Sequence, residues 1–460
     1  MSKIKPIIEV APGTRTIWHK LMDLAEIGMP MFEGMVNERK RKLEALGHGD
    51  LAEGASIYAQ FMKILLNYLK GYDISVAQGR KTAIYSFCLP PELFYMLDVY
   101  PMCQEVGTLA IAVTNIGAVS TGYIDIAEEA GISSHECNAQ KIWLGATLLG
   151  EAPKPDAIIY SSQPCDSTNN QYQILERWYK APTFTVDIPY WTYELDNPYY
   201  DKYVLPYMTN QLKNLISFLE RLSGNKSDEK KLKQIFKLSN EARENISEVQ
   251  ELAKHVPSPL TSITAINNYL VLLTSAGLPS AIEYSSKMKN FASEVVKRGL
   301  GGINLAYGGK KEEKFRVVSL YPFNPSVIEW MERKYGAVVV QDMLGYQLAK
   351  PVDLKSEETI LRDLGKTVLD MPMGRQSRGP MYFYFDDMIR LGKEYKADCY
   401  IFGGHVGCKH SWGGIKLLTD VLKEETGLST IVFETDVFDP RVGNPSEMKR
   451  KLKVFFDSLK

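Results

Sequence analysis

Cys137, Cys165 and Cys408 are each followed by a polar or charged residue, and none lies inside an unbroken apolar run. Cys137 closes Gly131-Ile-Ser-Ser-His-Glu-Cys, just ahead of the apolar stretch Ile142 to Leu149. Cys165 closes the strand-like run Asp156-Ala-Ile-Ile-Tyr-Ser-Ser-Gln-Pro-Cys, and Cys408 closes Asp398-Cys-Tyr-Ile-Phe-Gly-Gly-His-Val-Gly-Cys. Each reads as the point where a buried strand gives way to a turn or helix. In open α/β sheets the carboxyl ends of strands face the functional crevice. Three thiols arriving there from distant segments read as a metal site. Three thiolates with a fourth position open suit an iron–sulfur cluster or a zinc ion. His405 and His410 keep zinc open, whereas Lys409, His410 and the small residues Gly403, Gly404 and Gly407 offer the cations and close backbone that a sulfide-bearing cluster needs.

A free cysteine is also a small hydrophobe that packs well in cores. Cys88 in Tyr85-Ser-Phe-Cys-Leu89, Cys399 in Ala397-Asp-Cys-Tyr-Ile401, and Cys103 in its apolar neighbourhood take that reading. The six cysteines lack the paired CxxC spacing of a structural zinc site.

The 460 residues exceed one ordinary core, so two or three packed units are expected. Hydrophobic content of 45% with 24% charged residues describes a globular chain, and a net charge of −1 points to neither nucleic acid nor an anionic membrane as partner. Met1-Ser-Lys-Ile-Lys-Pro6 lacks a signal-peptide core, and Val106 to Val119, with Asn115, is too short to span a bilayer. A reducing cytoplasmic setting is the expectation, with thiols rather than disulfides.

The elements that must carry these residues alternate in an α/β rhythm. Residues 1–80 read as an N-terminal helical region, with Gly71 as a helix stop. Residues 81–202 read as a first α/β domain with Cys137 and Cys165. Its strands are expected at Thr82–Cys88, Ala157–Ser161 and Thr183–Ile188, with helices after Pro90-Pro91, at Tyr123–Ala130 and at Gln171–Tyr179. Residues 203–310 form a helical segment without strand candidates. Ser227-Asp-Glu begins one helix, Pro257-Ser-Pro259 ends it, and Leu260 begins the next. Residues 311–460 read as a second α/β domain with Cys408. Strands are expected at Phe315–Leu320, Ala337–Gln341, Cys399–Phe402 and Thr430–Glu434, separated by helices at Ser326–Lys334, Tyr382–Lys396 and Gly413–Thr426. The fold class is therefore α/β, with two doubly wound, mostly parallel sheets, the three sulfurs facing a cleft between them.

The ordered set Glu128-Glu-Ala-Gly-Ile-Ser-Ser-His-Glu-Cys137, Cys165-Asp166, Val186-Asp-Ile-Pro-Tyr190, Gly407-Cys408-Lys409 and Glu434-Thr-Asp-Val-Phe-Asp-Pro-Arg441 resembles the 2-hydroxyacyl-CoA dehydratase and benzoyl-CoA reductase family. It is most like the larger, cluster-binding reductase subunits. Pro257-Ser-Pro-Leu260 and the run from Glu313 to Val340 share the likeness. The resemblance implies that Cys137, Cys165 and Cys408 hold a [4Fe–4S] cluster, alone or as part of a double cubane. It implies an ATP-driven, low-potential acyl-CoA reductase or dehydratase subunit, paired with a homologous subunit or a second copy of itself. A separate ATP-hydrolysing iron–sulfur activator supplies electrons in that family, and this chain has no Gly-x-x-x-x-Gly-Lys-Ser/Thr loop of its own. His405 and Lys409 are candidate proton-handling residues. Arg375, Arg378 and His410 are candidate substrate contacts, the Arg375-Gln-Ser-Arg378 loop holding CoA phosphates or a partner's acidic patch. Asp439-Pro-Arg441 is expected to brace a strand end. A double-cubane reductase or electron carrier acting on small molecules without CoA is the alternative.

Overall fold

The computed structural model describes residues 15–113, 117–190, 200–321, 324–348 and 350–459; the chain start read above and Asn115 lie outside them. Strands β1 Thr82–Tyr85, β2 Tyr100–Cys103, β3 Ala157–Ser161 and β4 Thr183–Val186 form one parallel sheet in the order β2-β1-β3-β4. Strands β5 Phe315–Ser319, β6 Ala337–Asp342, β7 Cys399–His405 and β8 Ser429–Thr435 form a second parallel sheet in the order β6-β5-β7-β8. The second sheet repeats the strand order of the first. Every residue of β1, β2 and β3 is buried, so these strands read as continuous apolar runs with helices on both faces.

The segment between the sheets is helical, as its three- and four-residue apolar spacing predicts: Leu205–Ser223, Glu229–Leu252, Thr264–Ser275 and Pro279–Lys297. The Asp228 carboxylate caps the second of these, accepting from Lys230 N at 2.9 Å. Helix Thr264–Ser275 lies between two cores. Its Tyr269 and Leu273 belong to the core of the first sheet, whereas Val271 and Leu272 belong to that of the second. Leu270 and Leu344 pack against both. Arg316, 4% exposed, joins β5 to this helical layer through Ala253 O, His255 O, Tyr395 O and the Glu313 carboxylate, at 2.6–3.0 Å.

Several boundaries differ from expectation for physical reasons. Gly71 lies inside helix Ile57–Ala77 and does not stop it, because a Cβ there would meet the Tyr100 ring at 2.5 Å; the glycine serves close approach. Strand β2, Tyr-Pro-Met-Cys, is missed because four residues with a proline carry no periodic signal. Pro257-Ser-Pro259 is followed by a non-helical stretch, and the next helix begins at Thr264, not Leu260. Helix Glu357–Asp370 was not anticipated, although Ser356 and Thr359 form its capping box. Strand β7 runs on through Gly403 and Gly404 to His405, pairing with Phe433, Glu434 and Thr435. Among the described residues, no helix is long and apolar enough to cross a membrane.

Candidate metal centre and active-site cleft

Each of the three cysteines occupies the residue ahead of a helix. Cys165 follows β3 and caps helix Asp166–Tyr179; its sulfur accepts from Thr168 N at 3.5 Å and lies 3.2 Å from Thr168 Oγ1. Cys408 follows β7 and caps the short helix Lys409–Trp412. Cys137 caps helix Asn138–Leu148, but follows a turn after helix Gly117–Glu129, so no strand leads into it. The Thr168 N–H favours a thiolate at Cys165, whereas the sulfurs of Cys137 and Cys408 receive no hydrogen bond from the helices they precede.

Close backbone contact brings the segments together. A Cβ on Gly407 would stand 2.8 Å from Cα of Cys137 and 3.1 Å from Glu136 O, so no side chain fits between the two cysteine loops. Cys137 N donates to Ser167 Oγ at 3.3 Å, joining it to the loop of Cys165. Lys409 Nζ lies 2.6 Å from Asp166 Oδ2, coupling the residues that follow Cys408 and Cys165. Arg441 holds both Asp439, at 2.8 Å, and Asp125 of helix Gly117–Glu129, at 2.7 Å. It therefore ties the end of the second sheet to the first half, more than the local bracing expected of it.

His405 lies within this junction. Its Nε2 is 3.0 Å from Cys137 Sγ, and its Nδ1 is 3.1 Å from Asp436 Oδ2, a charge contact off the ring N–H direction. Asn138 Nδ2 donates to the same Asp436 oxygen at 2.8 Å. Burial opposes the imidazolium, but the Asp436 carboxylate and the Cys137 sulfur outweigh it and hold the His405 pKa well above its ordinary value. Burial pushes the Cys165 thiol up to about 12, with Cys137 and Cys408 adding to the rise and Thr168 opposing it. Lys409 is raised by its hydrogen bond to Asp166.

An all-sulfur donor set is soft and suits iron–sulfur or zinc chemistry. Among the described residues, no three His, Cys, Asp or Glu side chains converge closely enough to hold one metal ion. A single ion draws its thiolates to about 3.8 Å of one another, whereas a cluster takes one thiolate per iron and spaces them more widely. Cys137, Cys165 and Cys408 line one cleft and share a donor chemistry that suits such a cluster.

Cys137, Cys165 and Cys408 line one cavity of about 140 Å³, with His405 and Lys409 also on its wall. The rest of the wall is largely apolar and aromatic, including Phe87, Tyr269, Leu270, Leu273, Leu344 and Met373. Glu105 also lines it, and sequence reasoning missed this residue because it missed β2, whose carboxyl end it follows. Burial raises the Glu105 carboxyl to about 7, against the opposing pull of Gln104, Cys103 and Gln140. Its Oε1 accepts from Gln104 Nε2 at 3.2 Å.

Other expected contacts are elsewhere. His410 is exposed and does not line the cavity. Arg375 pairs with Asp387 and Asp370, and Arg378, 1% exposed, donates to Leu369 O at 2.9 Å. These two belong to a helical turn, Gly374–Ser377 and its end, rather than to an open basic loop, and their guanidinium groups are engaged internally. Cys88, Cys103 and Cys399 are fully buried.

The sequence model of one family, 2-hydroxyglutaryl-CoA dehydratase, D-component, matches residues 86–459. The chain is 27% identical to a benzoyl-CoA reductase subunit of Thauera aromatica over 389 residues, 82% of this chain and 88% of that one. It is 22% identical to the (R)-phenyllactyl-CoA dehydratase alpha subunit of Clostridium sporogenes over 375 residues, 79% of this chain and 86% of that one. The alpha subunit of lactoyl-CoA dehydratase from Anaerotignum propionicum is 24% identical over 358 residues, covering 75% of this chain and 77% of its own length.

Proposed function

This chain belongs to the 2-hydroxyglutaryl-CoA dehydratase D-component family and is an enzyme subunit of that family, and from that premise we propose that it is the iron–sulfur subunit of a low-potential acyl-CoA reductase or dehydratase. The observation that carries the reading is the set of three cysteines at helix N-cap positions, Cys137, Cys165 and Cys408, on the wall of one largely apolar cleft. These residues would hold a [4Fe–4S] cluster, alone or in a double cubane, and when bound it supplies single electrons at low potential. The relatives are named as subunits, which supports a homologous partner or a second copy of this chain. A separate ATP-hydrolysing activator would deliver the electrons.

The chain's own residues have distinct tasks in this reading. His405 directs Nε2 at the Cys137 sulfur, and a donor there offsets thiolate charge. Asp436 and Asn138 keep the imidazole in place. The apolar wall excludes water from a site where a strong reductant would otherwise be lost to solvent. Glu105, with a carboxyl that titrates near neutrality, can hold or release a proton beside the substrate. Lys409 keeps the rim closed through Asp166. Residues 81–202 and 311–460 act as the two cysteine-bearing domains, and 203–310 as the helical layer between them.

The test is anaerobic purification of the chain, followed by iron and sulfide analysis and titration with acyl-CoA. About four irons and four sulfides per cluster, with a spectrum that responds to acyl-CoA, is the expected result. A cluster insensitive to every acyl-CoA would favour the small-molecule reductase instead.

A further inference from the structure

The cleft also carries information about the group that enters it, and this inference rests on the acyl-CoA reading above. The cations on its wall are Lys409 and His405, and each is already matched to a carboxylate, Asp166 and Asp436 respectively. Arg375 and Arg378 are engaged elsewhere and do not line it. The other ionisable groups on the wall are the acids Glu105 and Asp166 and the cysteine and tyrosine side chains. Gln140, Ser167 and Thr168 are neutral polar groups beside the cysteines, Gln140 Nε2 donating to Thr168 Oγ1 at 3.2 Å and Ser167 Oγ accepting from Cys137 N, whereas Phe87, Ile266, Leu270, Leu273, Leu344 and Met373 offer no side-chain hydrogen bond to an anion. Tyr269, also on this wall, has its hydroxyl 3.4 Å from Phe87 O.

We infer that the cleft selects an uncharged, apolar or aromatic acyl group and rejects an acyl group that ends in a carboxylate. A second carboxylate on the acyl chain would be buried without an unpaired cation, in a wall that already carries the acid Glu105. Burying an unpaired charge costs far more than the contacts of a short chain return.

Met373 adds a second, independent observation. Its backbone lies at φ 63° and ψ −46°, a left-handed conformation that L side chains rarely adopt. Met373 N donates to Gln376 Oε1 at 2.7 Å, and Ser377 N to Met373 O at 2.9 Å, which fix the turn. The fold accepts this conformation and sets a flexible thioether on the cavity wall, a side chain suited to fitting apolar groups of varied shape.

The experiment is calorimetric titration of the full chain, purified anaerobically, with benzoyl-CoA, glutaryl-CoA and CoA itself. Benzoyl-CoA is expected to bind more tightly than CoA, and glutaryl-CoA at least about 100-fold more weakly than benzoyl-CoA. Equal affinity for benzoyl-CoA and glutaryl-CoA, or no gain of either over CoA, would overturn the inference and leave a CoA site standing. No binding of CoA or of either thioester would overturn the acyl-CoA reading as well. Met373→Gly supplies a variant that relieves the backbone while removing the side chain. Because Met373 also packs against both cores, the variant's melting temperature reads relieved backbone strain against lost packing, and the benzoyl-CoA advantage over CoA should drop about 10-fold. An unchanged advantage in that variant would show that the acyl group never reaches this wall.

Discussion

His405 Nε2 lies 3.0 Å from the sulfur of Cys137, although 268 residues separate them in the chain. A residue at the end of a strand in the second sheet therefore touches the thiol of a residue at a helix N-cap in the first half. Replacing His405 with Ala should leave the fold intact and lower cluster affinity about 10- to 100-fold. Iron retention under chelator challenge measures the first effect. Loss of a donor to the sulfur should also move the potential to more negative values, read by anaerobic redox titration. Unaltered retention and potential would remove His405 from the site.

Single Ser replacements of Cys137, Cys165 or Cys408 should abolish the broad visible absorbance and most of the bound iron. Cys88→Ser and Cys399→Ser should retain both, with some loss of stability from the buried hydroxyl. Iron and sulfide assays on the five variants separate ligands from packing residues. Full occupancy in all three of the first group would end the ligand assignment.

Gly407→Ala tests the contact between the cysteine loops. The added methyl would press on Cα of Cys137 at 2.8 Å, and backbone there has little room to move. Cluster content should fall while the far-ultraviolet circular dichroism stays unchanged, because the strain falls on two loops and not on either sheet. Normal cluster content would mean that the loops separate freely.

Arg316→Met should destabilise the chain by about 3–5 kcal/mol, since it strands the buried Glu313 carboxylate and leaves backbone carbonyls unpaired. Denaturant unfolding reads this directly.

Glu105 gives a pH signature. Its folded pKa, raised by burial to about 7, exceeds the ordinary value of 4.5. Its contribution to stability is therefore fully present below about 4.5 and is lost as pH rises through about 7. Glu105→Gln should flatten that part of the profile, so the variant loses less melting temperature than the parent between pH 5 and pH 8, roughly the window that the two pKa values bracket. Parallel profiles would show that the carboxyl titrates normally.

The sequence was most legible where a local rule acts alone. Long apolar runs identified β3, β5, β6, β7 and β8, and three- and four-residue spacing identified the middle helices. Cys165 and Cys408 were legible because each closes such a run. Short elements were not: β2 is four residues with a proline, and missing it hid Glu105 at its end. The local structure at Arg375 and Arg378 was not legible for a different reason. Their glycine-flanked setting looks like an open loop, but their acidic partners, Asp370 and Asp387, lie on neighbouring helices. Pairings between elements, including that of His405 with Cys137, leave no local trace in composition or spacing.

The common strand order of the two sheets has a consequence for the thiol set. Between the second and third strands of each sheet, three helices are described, and in the first half the third of these begins at Cys137. The residue in the same place in the second half, ahead of helix Tyr382–Glu394, is Met381, which packs on the second core and does not line the cleft. Cys165 and Cys408, by contrast, follow equivalent strands and match one another. Two like halves would place a cysteine at that corner as well, but this chain has a methionine packed into the second core there, so the halves contribute unequally to the cleft: two of its cysteines come from the first and one from the second.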